Sequence, residues 1–522
     1  MRRLKNPESR DAPTYNPRVP GASYTFGPFR LDAGASRLSR DGEPLALPDR
    51  QAAILLLLVS RAGKIVSKEA LLDAAWKDVA VGDNSLEQAI SALRRALGPT
   101  PDGEPYIETL ARRGYRFRAP VARVTERAED AALEAMLAPH RAFIEGRTAL
   151  ETFERAAVAR AQGVFESILA GAPDYGPAHV GLANAHALRF ESTRAEDAPD
   201  REALAKAVHH AREACRLDPS SGEAWATLGV VSSQARLVTE GIAAARRSIG
   251  LENENWRHHL RLAYVSWGEE RLRAARHALK LLPGFAFGHW LAATVHVARG
   301  AFEQAEEELT AGTAAQDSQQ RGSRFGTSGL HFLLGLVRLA CNDDDAALLE
   351  FERELAFEDA THIYTREVCA HTWCALGALR LRQGDPAAAL AAFERALISV
   401  PGYALALAAQ MFTTRVAAGA SADRPVRHES GGFLPGVGGP ALAARLEYLR
   451  AQGASVEAAT VEAVGESLAG HHAAAASRVH AALQAAPAGS SGWMLPVEPF
   501  LQVGTHAADW APVLALLSSR AA

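Results

Sequence analysis

The sequence predicts a mainly α protein in which a small N-terminal α+β domain is followed by an all-α array of repeated helical hairpins. Three observations lead there. Strand-like segments bounded by turn residues occur only before about residue 120, where they flank three amphipathic helices. From about residue 141 the chain is Ala-rich and helical, broken by Gly, Asp and Pro, with no lasting period-two alternation. That later stretch is also similar to itself, with small and large residues returning at fixed offsets. At 522 residues the chain exceeds a single core, so two or more domains are expected.

Residues 1–22 carry Pro7, Pro13, Pro17, Pro20 and scattered charge, and are expected to be a disordered tail. Order is expected from about Tyr24. Phe26 to Leu31, Arg37 to Arg40 and Leu45 to Leu47 read as short antiparallel strands, with Asp41-Gly42 as a hairpin turn. Pro48-Asp49 opens a helix that stops at Gly63, and Ser67 is an N-cap for a second helix through Leu71, Leu72, Ala75 and Trp76. Lys68 sits in the first turn of that helix, where the dipole disfavours a cation, so an external anion would compensate.

After a loop over 77–82 comes the helix Asp83 to Leu97. At about 100° per residue, Leu86, Ile90, Leu93 and Leu97 form one stripe and Asn84, Gln88, Ser91 and Arg95 the opposite one. One face is core and the other is free to touch something. Gly98-Pro99 ends the helix, and Tyr106 to Phe117 reads as two short strands joined by a basic turn at Arg112-Arg113. A polar-faced helix followed by an arginine-tipped hairpin is how a winged helix approaches DNA.

Leu31-Asp32, Asp41-Gly42, Leu45-x-Leu47, Ser67-x-Glu69-x-Leu71-Leu72, Trp76, Leu93-Arg94-Arg95 and Thr109 to Phe117 together resemble the OmpR/PhoB-type winged-helix domain over residues 24–120. The two arginines before Gly114-Tyr115 are more similar to the CadC-type one-component branch. The resemblance implies that the third helix enters the major groove, the wing the neighbouring minor groove, and the start of the second helix touches phosphate. Carried over by position, it implies Asn84, Ser85, Gln88, Ser91, Arg94 and Arg95 at or near the groove, Arg112 and Arg113 on the wing, and Lys68 with Trp76 beside the backbone. Ala89 and Ala92 depart from the family, where longer polar side chains are common. Base readout is therefore expected to be sparse, with more weight on phosphate contacts and DNA shape.

Residues 121–140 read as a charged linker. Beyond it, Trp373-x-x-Leu376-Gly377, then Ala389, Phe393, Ala396 and Pro401, place small residues where two helices touch and large ones where they interdigitate. His331-x-x-Leu334-Gly335 leads to Ala347 and Phe351 in the same way, and Trp225, Leu228 and Gly229 are echoed 34 residues later by His259, Leu262 and Ala263. This pattern is similar to tetratricopeptide repeats from 141, with seven to nine hairpins, a disordered insertion at 431–439 and a C-terminal region from Gly492 that caps the open end of the stack. The resemblance implies a concave surface that takes a protein, a peptide or a small ligand.

The charge is divided. Residues 1–120 carry 19 Lys and Arg against 14 Asp and Glu, whereas the rest carry 37 against 46, so the basic part holds the candidate nucleic-acid element. No cofactor-cradling glycine loop, metalloprotease helix or nucleophile elbow occurs, and no enzyme, cofactor or metal is expected. The adjacent pairs His209-His210, His258-His259 and His471-His472 point about 100° apart on a helix, which suits surface or hairpin contacts better than shared metal binding. Four cysteines without a CxxC pair, an N-terminus without an apolar run and no long apolar segment lead us to expect a cytoplasmic protein with no membrane partner. The expected function is a one-component transcription regulator that binds double-stranded DNA, with a dimer on DNA left open. A scaffold whose winged helix binds protein instead of DNA is the alternative, and steep salt dependence of duplex binding separates the two.

Overall fold

The computed structural model describes residues 23–34, 37–76, 83–111, 113–124, 129–196, 198–318, 325–358, 360–417 and 439–522. The expected tail at 1–22, the loop at 77–82, Arg112 and the expected insertion up to residue 438 lie outside the described residues. Contacts divide the chain into two units at Arg141 and Ala142.

The first unit begins with four short strands, β1 (Ser23–Phe26), β2 (Phe29–Asp32), β3 (Arg37–Arg40) and β4 (Glu43–Leu45). The single strand expected from Phe26 to Leu31 is two, because Gly27 takes a left-handed φ of 54° and turns the chain so that Phe26 pairs with Phe29. Asp41 and Gly42, at φ 52° and 89°, make the expected tight turn between β3 and β4. Three helices follow, α1 (Asp49–Ser60), α2 (Lys68–Ala75) and α3 (Asp83–Leu97), with the two-residue strand β5 (Ile65–Val66) before α2. Ser67 caps α2 by accepting from the Ala70 amide at 3.2 Å. The strands β6 (Ile107–Leu110) and β7 (Gly114–Phe117) then form a hairpin that takes β5 as its third strand. Gly114 is required where it stands: its φ is 120°, and a Cβ there would run into the Val66 carbonyl oxygen.

The region expected as a linker is structured in part. Ala122–Val124 forms β8, which pairs with β1 to close a five-stranded sheet in the order β4-β3-β2-β1-β8, and α4 (Glu129–Leu150) follows. Without β8 that edge of β1 would have unpaired backbone groups, a cost that a charged-linker reading of the composition does not register. The core is built on Phe26, Phe29, Tyr106 and Phe117, with Phe26 and Phe117 edge to face at 4.9 Å, so the N-terminal sheet and the hairpin share one aromatic cluster.

The second unit is a stack of tetratricopeptide-like helical hairpins. Gly176–Thr193 packs on Arg201–Leu217, Gly222–Gln234 on Val238–Leu251, Trp256–Val265 on Gly268–Leu281 and Ala286–Ala298 on Phe302–Asp317. Leu330–Ala340 then packs on Asp344–Leu355, Thr365–Arg382 on Pro386–Ser399 and Ser455–Leu468 on His472–Ala485. Close approach explains several of the glycines. A Cβ on Gly335 would lie 2.5 Å from the Phe351 ring, and one on Gly377 would collide with Phe393. Gly146 makes room for Phe165 by the same device. Each fully buried phenylalanine thus fills the space its partner glycine leaves.

The C-terminal region does more than cap the stack. Ala507–Arg520 lies on His472–Ala485, but the stretch before it runs along the first helices of earlier hairpins. Trp493 meets Trp290 edge to face at 5.7 Å, Val497 joins the cluster of Val297, Leu333 and Leu376, and Phe500 packs 5.9 Å from Phe393. Arg299 binds the Ala521 carbonyl at 2.7 Å. Part of the surface expected to be open is therefore covered by the chain's own large apolar side chains, which the small residues of those helices leave room for.

Among the histidines, His210 and His179 meet across a hairpin, Nδ1 to Nδ1 at 2.9 Å, with His186 stacked on His210. Such a pair shares one proton and cannot comfortably hold two. Burial first, then His179, His186 and His209, push the His210 imidazole down to about 4. The unfolded chain takes up that proton near 6.5, so the stability from keeping His210 neutral is complete above that pH and is lost as the pH falls through about 4. The loss should approach about 3 kcal/mol. Denaturant midpoints at pH 7 and pH 4.5 should therefore diverge, and His210→Gln should reduce the difference; an unchanged difference would show that His210 titrates normally.

Candidate nucleic-acid interface

Helix α3 divides as its spacing predicts. Leu86, Ile90, Leu93 and Leu97 are each 2% exposed or less, locked against α1, α2 and the wing strands, while Gln88, Ser91 and Arg95 are exposed on the opposite stripe. Ser85 is half-buried at the edge of that stripe, and the side chain of Asn84 lies outside the described residues. Arg113 is exposed on the turn between β6 and β7, which its amide closes by donating to the Leu110 carbonyl at 2.9 Å.

Three of the expected contact residues have partners within the chain. Arg94 is turned inward: its Nε donates to the Ile107 carbonyl at 2.9 Å and its Nη2 to Thr109 Oγ1 at 2.7 Å, so it ties α3 to the wing strand β6. The residue lies one step past Leu93, where a long side chain reaches the wing strand instead of solvent. Trp76 is 9% exposed and completes the core between the helices, with the Arg50 guanidinium 5.8 Å from its ring centre. Its indole is mostly core material. Lys68 reaches across to α3 and pairs with Glu87 at 3.0 Å, so the first-turn cation has a carboxylate of this chain beside it. Both partners are substantially solvent-facing, and such a pair contributes little to stability.

Sequence reasoning missed Arg50 and Glu87. Neither has a local signal, because their partners are 26 and 19 residues away in sequence. It also missed that Arg116 is occupied: β6 and β7 place it opposite Glu108, and the two pair at 2.6 Å, which stiffens the wing and removes one arginine from the basic surface. What remains presented together is a polar helical stripe ending in Arg95 and a short turn carrying Arg113.

The family described as "Transcriptional regulatory protein, C terminal" matches residues 42–117. The N-terminal unit is an OmpR/PhoB-type winged-helix domain. Over 110 residues it is 42% identical to the transcriptional regulator HilA of Salmonella typhi, a match covering 21% of this chain and 20% of that protein. It is 31% identical over 96 residues to the transcriptional activator CadC of Escherichia coli K12, covering 18% and 19%. The matches thus span about a fifth of the length of these relatives. Among solved structures, the DNA-binding domain of E. coli CadC is 28% identical with 98% of it covered, 20% of this chain and a TM-score of 0.18. The human IFIT1 dimer with m7Gppp-AAAA is 13% identical, covering 63% of this chain and 68% of that one at a TM-score of 0.39. No described helix is long and apolar enough to cross a membrane.

In this winged helix, Arg94 and Ile90 should act through folding. Arg94→Ala removes two hydrogen bonds from a charged donor and should cost about 1.5–3 kcal/mol, and Ile90→Ala about 2–5 kcal/mol. Thermal unfolding measures both. An Arg94→Ala protein that melts normally yet loses affinity for DNA would place the guanidinium at the nucleic acid instead.

Proposed function

We propose that the chain is a one-component transcription regulator whose winged helix reads double-stranded promoter DNA through α3 and the β6–β7 turn, while the helical-repeat unit receives a signal or binds a protein partner. The observation that carries this reading is the exposed stripe of Gln88, Ser91 and Arg95 together with the exposed Arg113 turn, on a domain matching a transcriptional regulatory family. The relatives named as transcriptional regulators support it, and so does the excess of basic residues before residue 120.

Within this reading α3 lies in the major groove. The Gln88 amide matches the donor and acceptor edge of adenine, and the Arg95 fork matches guanine or a phosphate. Ser91, between them on the same stripe, is short enough to let the helix approach. Arg113, on its tight turn, reaches the minor groove or its phosphates. With Ala89 and Ala92 beside this stripe and Arg94 withdrawn, few side chains remain to contact bases, so backbone contacts and DNA shape carry much of the selection. Lys68 contributes to the backbone only by giving up Glu87, which makes it a conditional phosphate contact.

Binding of the full chain to promoter-length duplex DNA across a salt series tests the proposal. Affinity should fall steeply with salt, and Arg113→Ala should lower the slope by about one unit if it removes one phosphate contact. Gln88→Ala and Arg95→Ala should each cost about 1–3 kcal/mol and relax site preference without changing the melting temperature. If neither substitution changes affinity or preference while the fold is intact, α3 is not the reader. Salt-insensitive or absent duplex binding would favour a protein-binding scaffold.

A further inference from the structure

We propose that the repeat unit contains a binding pocket for a small organic acid with a planar ring, its carboxylate held by Arg261 and its ring packed against Trp256, Phe285 and Phe325. The proposal rests on the reading that this unit receives a signal, and it gives that signal a chemistry.

A cavity of about 280 Å³ opens among the helices Gly176–Thr193, Gly222–Gln234 and Trp256–Val265. That size is at the low end of ligand pockets and suits a one- or two-ring molecule better than a peptide. One wall is aromatic. Trp256 lies 4.9 Å from Phe285 and 5.4 Å from Phe325, and the two phenylalanines are 5.9 Å apart, ring centre to ring centre. The Arg257 guanidinium lies 4.6 Å from the Trp256 ring centre and 5.2 Å from that of Phe325, so a further ring joins this wall by edge contact.

Arg261 supplies the charge. Its Nη1 donates to Thr227 Oγ1 at 3.0 Å and to the Glu223 carbonyl at 3.4 Å. Its Nε and Nη2, the parallel pair that fits a carboxylate, have no acceptor among the described residues, and no carboxylate pairs with it there. Burial lowers the pKa of this guanidinium, the direction that an anion bound beside it would reverse. Two acids lining the cavity are engaged elsewhere: Glu151 with Arg257 at 3.3 Å, and Glu191 with Arg194 at 3.1 Å. Glu223 is the acid whose charge opposes the proposal, and it makes an amine the competing ligand class.

A second observation points the same way. Trp256 Nε1, Gln234 Oε1, Arg147 Nε and Ser328 Oγ belong to residues that line this cavity, are withdrawn from solvent and have no hydrogen-bond partner. Trp256 is 4% exposed. Buried polar atoms are nearly always satisfied, so four unpartnered ones on the residues of one lining leave the hydrogen bonding around this cavity incomplete.

Calorimetric titration of the full chain with benzoate, phenylacetate and indole-3-acetate tests the class, with indole-3-acetamide and tryptamine as neutral and cationic controls. At least one acid should bind at one site per chain, about tenfold or more tighter than the amide and the amine, because only the acid pairs with the free guanidinium edge. Arg261→Gln should abolish that preference, and Trp256→Phe should weaken the acid while keeping the ring wall. Binding by none of the three acids overturns the proposal, as does equal or tighter binding of the amide or tryptamine, or an Arg261→Gln protein that binds the acid unchanged. Should Arg261→Gln fail to fold, Arg147→Gln and Trp256→Phe replace it, and unchanged acid binding by both overturns the pocket. Duplex DNA binding measured with and without the acid separates the two readings: an acid that binds but leaves DNA affinity unchanged upholds the pocket and sinks its role as signal receiver.

Discussion

What the winged helix offers to a partner depends on how α3 is clamped from behind. Four large side chains fix its depth, but apolar packing alone leaves a helix free to slide or rotate slightly against its neighbours. Arg94 removes that freedom by bonding the Ile107 carbonyl and the Thr109 hydroxyl, both on the strand that leads into the Arg113 turn. A directional bond from a charged donor therefore sets the helix and the wing in one frame. The Glu108 and Arg116 pair holds the two wing strands in register on the same hairpin. The exposed residues Gln88, Ser91, Arg95 and Arg113 are thus carried on a frame that two other arginines, Arg94 and Arg116, hold together.

The repeat unit solves a different problem with different means. Its helices approach through glycine and alanine, and at several close approaches a phenylalanine from the facing helix fills the space, as with Gly335 and Phe351 or Gly377 and Phe393. Such contacts are local, so the stack has no single core and each hairpin relies on its neighbours. The C-terminal stretch adds what a repeat array lacks, contacts between residues distant in sequence. Trp493 on Trp290, Phe500 on Phe393 and Arg299 on the Ala521 carbonyl bind the end of the chain back to its middle. Loss of this segment would expose apolar surface on several hairpins at once.

How much of this was legible in the sequence follows from the range of each interaction. The order of sheet, helices and hairpin, the Ser67 cap, the Asp41-Gly42 turn and the inner stripe of α3 all rest on residues within a few positions of one another, and periodicity or turn chemistry exposes them. The glycine and phenylalanine spacing was legible because several hairpins repeat it. The inward turn of Arg94, the burial of Trp76, the Lys68 pairing and the added strand β8 were not, since each depends on a partner that only the folded chain brings near. Composition misled at 121–140 for the same reason: charge density describes a segment's solubility, not whether a waiting sheet edge will pair with it. The path of the C-terminal stretch was hidden too, because an array of similar hairpins offers many equivalent surfaces and local sequence does not choose among them.

Charge distinguishes the two parts of the chain in the proposed regulator. The first 120 residues carry a basic excess, and the remainder carries nine more acidic than basic side chains. A polyanion is thus drawn to the N-terminal part of the chain and repelled by the rest, but at physiological salt this discrimination fades beyond about 8 Å. It therefore acts at the surface and not across the molecule. Two consequences follow for any signal from the repeat unit. It must reach DNA affinity through more than the charge of a bound ligand, because the field of one such charge is screened within about 8 Å. An anion bound at Arg261 would act first on the packing of the hairpins around Thr227 and Trp256, so in the proposed regulator coupling runs through structure.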